Sequence, residues 1–234
     1  MIPLRDTIPS RTVPYVNYLL IIINVSVFFY ELSWGSQLPR LLGFYGLVPA
    51  RFFLLRAGYG VSPVAVYLPF LSHMFFHGGW LHLLGNMLYL WIFGDNVEDR
   101  LGHGGYLLFY LFCGLGAAVV HLLTNTHSMV PTIGASGAIA GVMGAYFMLY
   151  PQARVVTLLP IFFFFYIVEI PAFFFLGFWF LLQLIRGLSI LHARVPTYGG
   201  VAWWAHIGGF LFGQLLVLLL LSRRRKKTKD KPFW

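Results

Sequence analysis

Four polar side chains stand in otherwise apolar sequence where chemistry could use them: His82, Asn86, Ser136 and His206. A polar side chain held in hydrocarbon is costly and faces a bundle interior or a water-filled cavity, so each is a candidate for function. Ser136 opens an apolar run, Gly134-Ala135-Ser136-Gly137-Ala138-Ile139-Ala140-Gly141. At the start of a helix it would sit where unpaired N–H groups and the positive dipole end favour a developing negative charge. A serine hydroxyl is a weak nucleophile and needs a base to take its proton. His206 can be that base, because imidazole is largely neutral at physiological pH.

What would bring the two together is a pair of small faces. Gly137 and Gly141 form a G-x-x-x-G pair continued by Ala140 and Gly144, and Gly209 and Gly213 fall on the helical face of His206. Such faces let helix backbones approach closely. Their mutual packing is expected to carry His206 to Ser136. No acidic residue has an evident route to His206, so the spacing predicts a Ser-His dyad and no carboxylate third member; His192 is the next candidate base. Gly134 to Ala138 does not fit the G-x-S-x-G nucleophile elbow, because position 138 is alanine. His82 and Asn86, four residues apart, share one helical face and can donate hydrogen bonds to a common point. The same pair would equally serve as hydrogen-bonding glue between helices. His73 and His77 have the spacing of a zinc pair but lack the H-E-x-x-H pattern, so neither a metal nor a cofactor is expected.

The elements that must position these residues are membrane helices. The 234-residue chain is 59% hydrophobic and 10% charged, far from the roughly 25% charged of a soluble domain. Six apolar stretches approach the roughly 20 residues that cross a bilayer: Val16 to Tyr30, Trp80 to Phe93 with its flanks, Tyr106 to Thr124, Gly134 to Tyr150, Ile170 to Leu191 and Val201 to Leu221. The chain thus reads as an all-α, six-helix bundle forming one polytopic membrane domain over residues 1–234, with a core of about 14–222 and a basic tail of about 223–234. Pro14 would start the first helix, where its missing N–H costs nothing. Because no small-residue cleavage site follows that stretch, it is expected to remain a helix and not a signal peptide.

The connections carry less information. Residues 33–79 are too apolar for a solvated linker, and their Phe52–Leu55 and Val64–Phe76 segments are expected at the membrane interface. Asp95, Glu98, Asp99 and Arg100 read as a short solvated turn. Arg154 to Glu169, broken by Pro160, reads either as an interfacial loop or as a partly inserted hairpin. The net charge of +9 is concentrated in the run from Arg223 to Lys231, which reads as a juxtamembrane anchor to anionic lipid and not as a nucleic-acid surface. With an even number of spans both termini are expected in the cytoplasm, of a bacterial cell membrane. Cys113 is the only cysteine, so there is no disulfide framework and no thiolate zinc site.

Together these residues resemble the rhomboid intramembrane serine proteases. Gly134-Ala135-Ser136-Gly137 is similar to the family's nucleophile motif, and Ala205-His206 with Gly209 and Gly213 to its A-H-x-x-G-x-x-x-G motif. His82 to Asn86 is similar to its H-x-x-x-N motif, and Glu98-Asp99-Arg100 to its E-x-R element. The resemblance implies an endopeptidase that cleaves transmembrane proteins, with Ser136 as nucleophile, His206 as general base, and His82 and Asn86 joining the Ser136 N–H in an oxyanion hole. It implies membrane lipids and transmembrane substrates as partners. Two departures stand out: Ala140 replaces an aromatic residue that packs on the histidine in many members, and Leu68-Pro69 stands where a Trp-Arg pair is common. The competing reading is a rhomboid-like protein that binds or escorts membrane helices without cutting them. A transporter would show paired intramembrane charges or broken-helix repeats, and an aspartyl protease an aspartate inside a span; the sequence has neither.

Overall fold

The computed structural model describes residues 1–193 and 201–229, with side chains described for 1–189 and 201–222. In chain order the elements are β1 (Ile2–Asp6), α1 (Tyr15–Leu32), α2 (Leu38–Tyr45), α3 (Pro49–Arg56), α4 (Val64–Tyr67), α5 (Pro69–Ser72), α6 (Trp80–Leu101), α7 (His103–Thr124), α8 (Ser136–Leu149), β2 (Arg154–Ile161), β3 (Phe164–Pro171), α9 (Ala172–Ala193) and α10 (Trp203–Lys229). Each of the six expected apolar stretches is a helix: α1, α6, α7, α8, α9 and α10. Among the described residues four of them, α1, α7, α9 and α10, are long and apolar enough to cross a membrane. Helix α8 is apolar but only 14 residues long, and α6 carries Asp95, Glu98, Asp99 and Arg100 in its last turns. The basic run after Ser222 continues α10 in its backbone; its side chains, and Lys231, lie outside the described residues.

Helix α8 is the central element. Ten of its residues, from Gly137 to Tyr146, are buried without interruption, because α7, α6 and α10 all pack on it. The α8–α10 contact is main chain against main chain. A Cβ added at Gly209 would stand 2.0 Å from the Gly137 carbonyl oxygen, and one at Gly213 would stand 2.1 Å from that of Gly141. Only glycine permits this approach, which is how the small faces read from the sequence meet.

The acidic cluster differs from its expected solvated turn. Asp95 to Leu101 belong to α6, and Glu98 is fully buried. Its carboxylate accepts the backbone N–H groups of Val16 (3.0 Å) and Asn17 (2.7 Å). These are first-turn donors of α1 with no acceptor of their own, and Pro14 brings no capping side chain. Glu98 also accepts from His103 Nδ1 at 2.5 Å. Asp99 accepts the backbone N–H groups of Arg11 and Thr12 (2.9 Å for Thr12), so the segment before α1 is tied to the end of α6. Asn17 completes the tie: its Nδ2 donates to the Leu90 carbonyl (3.0 Å) and its Oδ1 accepts from the Tyr106 hydroxyl (2.8 Å).

The all-α expectation also needs correction. Residues 154–171 form a β-hairpin, and β1 pairs antiparallel with β2 to give a three-stranded sheet of order β1-β2-β3. The run from Val155 to Val168 is rich in β-branched and aromatic residues and carries no charge, and its backbone N–H and C=O groups must be paired. Its tip is exposed: Phe162 and Phe163 are 93% and 92% accessible. Residues 33–79, expected as interfacial pieces, form the short helices α2 to α5 and 3₁₀ turns at Gly35–Gln37 and His73–Phe75.

Candidate active site

Ser136 is the first residue of α8, two residues after Gly134, whose φ of +127° is strained for any side chain. His206 lies in the first turns of α10, with 8% of its surface accessible. The glycine-to-carbonyl contacts hold the two helices at the separation where Ser136 Oγ and His206 Nε2 are 2.8 Å apart. This is hydrogen-bond distance, and the pair expected from sequence is brought together.

His82 and Asn86 approach from α6. The Gly78 N–H donates to His82 Nδ1 at 3.2 Å. A neutral ring that accepts on Nδ1 carries its proton on Nε2. That Nε2 lies 2.8 Å from where a Gly134 Cβ would stand, and Ser136 Oγ lies 3.5 Å from the same point. The missing side chain at Gly134 therefore leaves room for the His82 ring beside the serine. Asn86 is buried and its Nδ2 has no hydrogen-bond partner, an amide donor held without an acceptor. All four residues line one cavity of about 840 Å³, which is walled also by Trp179 and Trp203.

Sequence reasoning missed Gln183. It lies on the buried face of α9, 6% accessible, and its Oε1 is 2.9 Å from His206 Nδ1. The signal was available: Gln183 is an uncharged polar side chain inside an apolar span, the same signature that singled out Asn86. The aromatic contact absent at Ala140 is supplied from α9 too. The Trp179 ring is 5.8 Å from the His206 ring at 33°, and Trp203 meets the same imidazole edge-on at 6.4 Å. Three side chains thus hold the His206 ring where the sequence offered none.

His73 and His77 do not share a helical face. His73 sits in the 3₁₀ turn with Nδ1 2.7 Å from the Pro69 carbonyl oxygen, and Phe76 is extended before His77. The side chain of His192 lies outside the described residues.

Residues 65–223 match the family model of the rhomboid domain. The chain belongs to the rhomboid family. Among its relatives, Rhomboid protein 1, mitochondrial, of Saccharomyces cerevisiae is 29% identical over 204 residues, which are 85% of this chain and 51% of that protein. RHOMBOID-like protein 5 of Arabidopsis thaliana is 33% identical over 153 residues, 65% of this chain and 44% of the relative. Rhomboid protease GluP of Bacillus subtilis is 32% identical over 133 residues, 56% and 24%. The chain spans about half or less of the length of these relatives. Family and helices together make it an integral, multi-pass membrane protein. Several relatives carry mitochondrial or chloroplastic in their names, so the expectation of a bacterial cell membrane draws no support from them.

Proposed function

We propose that this rhomboid is an intramembrane serine endopeptidase that cleaves transmembrane proteins. The observation that carries the reading is the 2.8 Å contact between Ser136 Oγ and His206 Nε2 on the wall of the cavity. The Ser136 hydroxyl donates its proton to His206 Nε2 as Oγ attacks the carbonyl carbon of the scissile bond. The tetrahedral oxyanion is met by Asn86 Nδ2, which has no partner in the resting protein, by His82 Nε2–H and by the first-turn N–H of Ser136. His206 then gives the proton to the departing amine, leaving an acyl-enzyme on Ser136. A water deprotonated by His206 attacks the ester, and the serine regains its proton.

Six helices, α1 and α6 to α10, cross the bilayer in this reading, with the basic end of α10 on the side of anionic lipid and both termini there. Helix α8 is about 21 Å long at about 1.5 Å per residue, short of the roughly 30 Å of hydrocarbon. Its N-terminus, and with it Ser136, would lie below the membrane surface, reached by water through the cavity.

The test is a serine-directed fluorophosphonate on protein purified in detergent, with cleavage of a single-span reporter in liposomes. Labelling at Ser136, and loss of both signals in a folded Ser136→Ala protein, are expected. Alanine fits the small-residue surface, so folding should survive. An unlabelled wild type that still binds the reporter would favour helix binding without cleavage.

A further inference from the structure

We propose that Gln183 is a positioning residue that fixes the tautomer of His206, through a hydrogen-bond chain of single polarity running from the α9 main chain to the serine hydroxyl. The inference rests on the serine-protease reading for its catalytic meaning, but the tautomer is a property of the resting protein.

The chain has three links. Gln183 Nε2 lies 3.0 Å from the Trp179 carbonyl oxygen, one turn back in α9. A backbone carbonyl only accepts, so the amide must present its NH₂ end there. The other end, Oε1, then faces His206 Nδ1 at 2.9 Å, and a carbonyl oxygen cannot donate. Nδ1 must therefore carry the proton. A neutral imidazole carries one N–H, so Nε2 is left with its lone pair, directed at Ser136 Oγ 2.8 Å away. Each link leaves the next a single choice, and the origin is a main-chain group that cannot rotate.

Without the acceptor, the ring is free to hold its proton on Nε2. It would then donate to Ser136 Oγ and could not take the serine's proton. Trp179 and Trp203 restrain the plane of the ring, but an aromatic face does not distinguish one nitrogen from the other in this way. When His206 accepts the proton and becomes cationic, its Nδ1–H bond to Oε1 becomes charge-assisted and strengthens. The contribution therefore grows in the transition state and should appear in kcat and not in KM.

The experiment uses the full chain with ¹⁵N-labelled histidine in detergent, at a pH where His206 is neutral. Its signals are assigned by difference from His206→Ala. The expected spectrum of the wild type has Nδ1 protonated and Nε2 bare; the opposite tautomer would overturn the proposal without any Gln183 variant. In Gln183→Met, which keeps the length and loses the acceptor, the spectrum should shift toward Nε2–H. Turnover and fluorophosphonate labelling should fall by about 10- to 100-fold, the loss found when the group that fixes the tautomer of a metal-bound histidine is removed, with KM within about two-fold. A folded Gln183→Met protein that keeps the wild-type tautomer and labelling rate would also overturn it. If the wild type shows the expected tautomer but is never labelled at Ser136, the protease reading fails and the hydrogen-bond chain stands.

Discussion

Substituting Gly209 by alanine is the sharpest test of how the site is spaced. Gly209 is one turn from His206, does not line the cavity and offers no functional group. A Cβ there would stand 2.0 Å from the Gly137 carbonyl oxygen and 3.0 Å from its carbon. Carbon and carbonyl oxygen approach to about 3.3 Å at their closest favourable contact, so α10 must move from α8 by about 1.3 Å. Neither neighbour can give way, since both are backbone. Carried to the adjacent turn, that displacement would stretch the 2.8 Å contact between Ser136 and His206 to about 4 Å, beyond hydrogen-bond reach. A misplacement of about 1 Å costs on the order of a hundred-fold in rate. Gly209→Ala should therefore lose roughly that factor in reporter turnover and in fluorophosphonate labelling while remaining folded by thermal melting. Gly104→Ala, where nothing lies within 4 Å of the added carbon, is the matched control and should be neutral. Wild-type turnover in a folded Gly209→Ala protein would show that this contact does not set the catalytic distance.

In the protease reading, Asn86→Ala removes one donor to the oxyanion and should cost roughly 2.7 to 4 kcal/mol of transition-state stabilisation, seen in kcat more than in KM; an unchanged kcat would leave Asn86 a packing residue. The hairpin tip is a run of exposed aromatic side chains, Phe162 to Tyr166, so an environment-sensitive dye on Phe163→Cys should shift to the blue in liposomes and be quenched by spin-labelled lipid. Cys113 is buried and should not compete for the dye; an unquenched dye would put the tip in water. Burial, with a smaller push from the Asp95 charge, raises the Asp6 carboxyl from 3.8 to about 6. A raised folded value means stability present below about pH 4 and lost as pH rises through about 6. Hydrogen exchange across Ile2–Asp6, corrected for its intrinsic pH dependence, should thus be slower at pH 5 than at pH 7.5, and Asp6→Asn should flatten the difference.

Ser136, His206, His82 and Asn86 were legible because polar groups in hydrocarbon are few and each demands a reason. The closeness of α8 and α10 was legible for a related cause: glycines at a four-residue period on two spans leave two surfaces that can approach closely, although Gly137 and Gly141 also take Ala117 and Cys113 of α7. Gln183 carried the same polar signal but no motif, and nothing local to α9 announces that its acceptor meets a ring twenty-three residues later. Glu98 looked like a solvated turn because its partners, the Val16 and Asn17 amides, lie more than eighty residues away. The sheet was hidden for the same reason. Val155 to Val168 reads as apolar whether it forms a strand or lies in the interface, and only pairing with Ile2–Asp6 decides between them.

That pairing has a consequence for how the protein is made. The Tyr146 hydroxyl closes on Asp6 across 140 residues of chain. At about 5 to 20 residues per second of synthesis, the strand waits roughly 7 to 28 seconds for the partners that will cover it. During that interval α1 and α6 can already associate, since Glu98 and Asn17 need nothing downstream of Tyr106. Assembly on the ribosome therefore has a necessary order, in which a strand made ahead of α1 is among the last stretches to be fastened, and a chain released before residue 171 has no means of closing its own sheet.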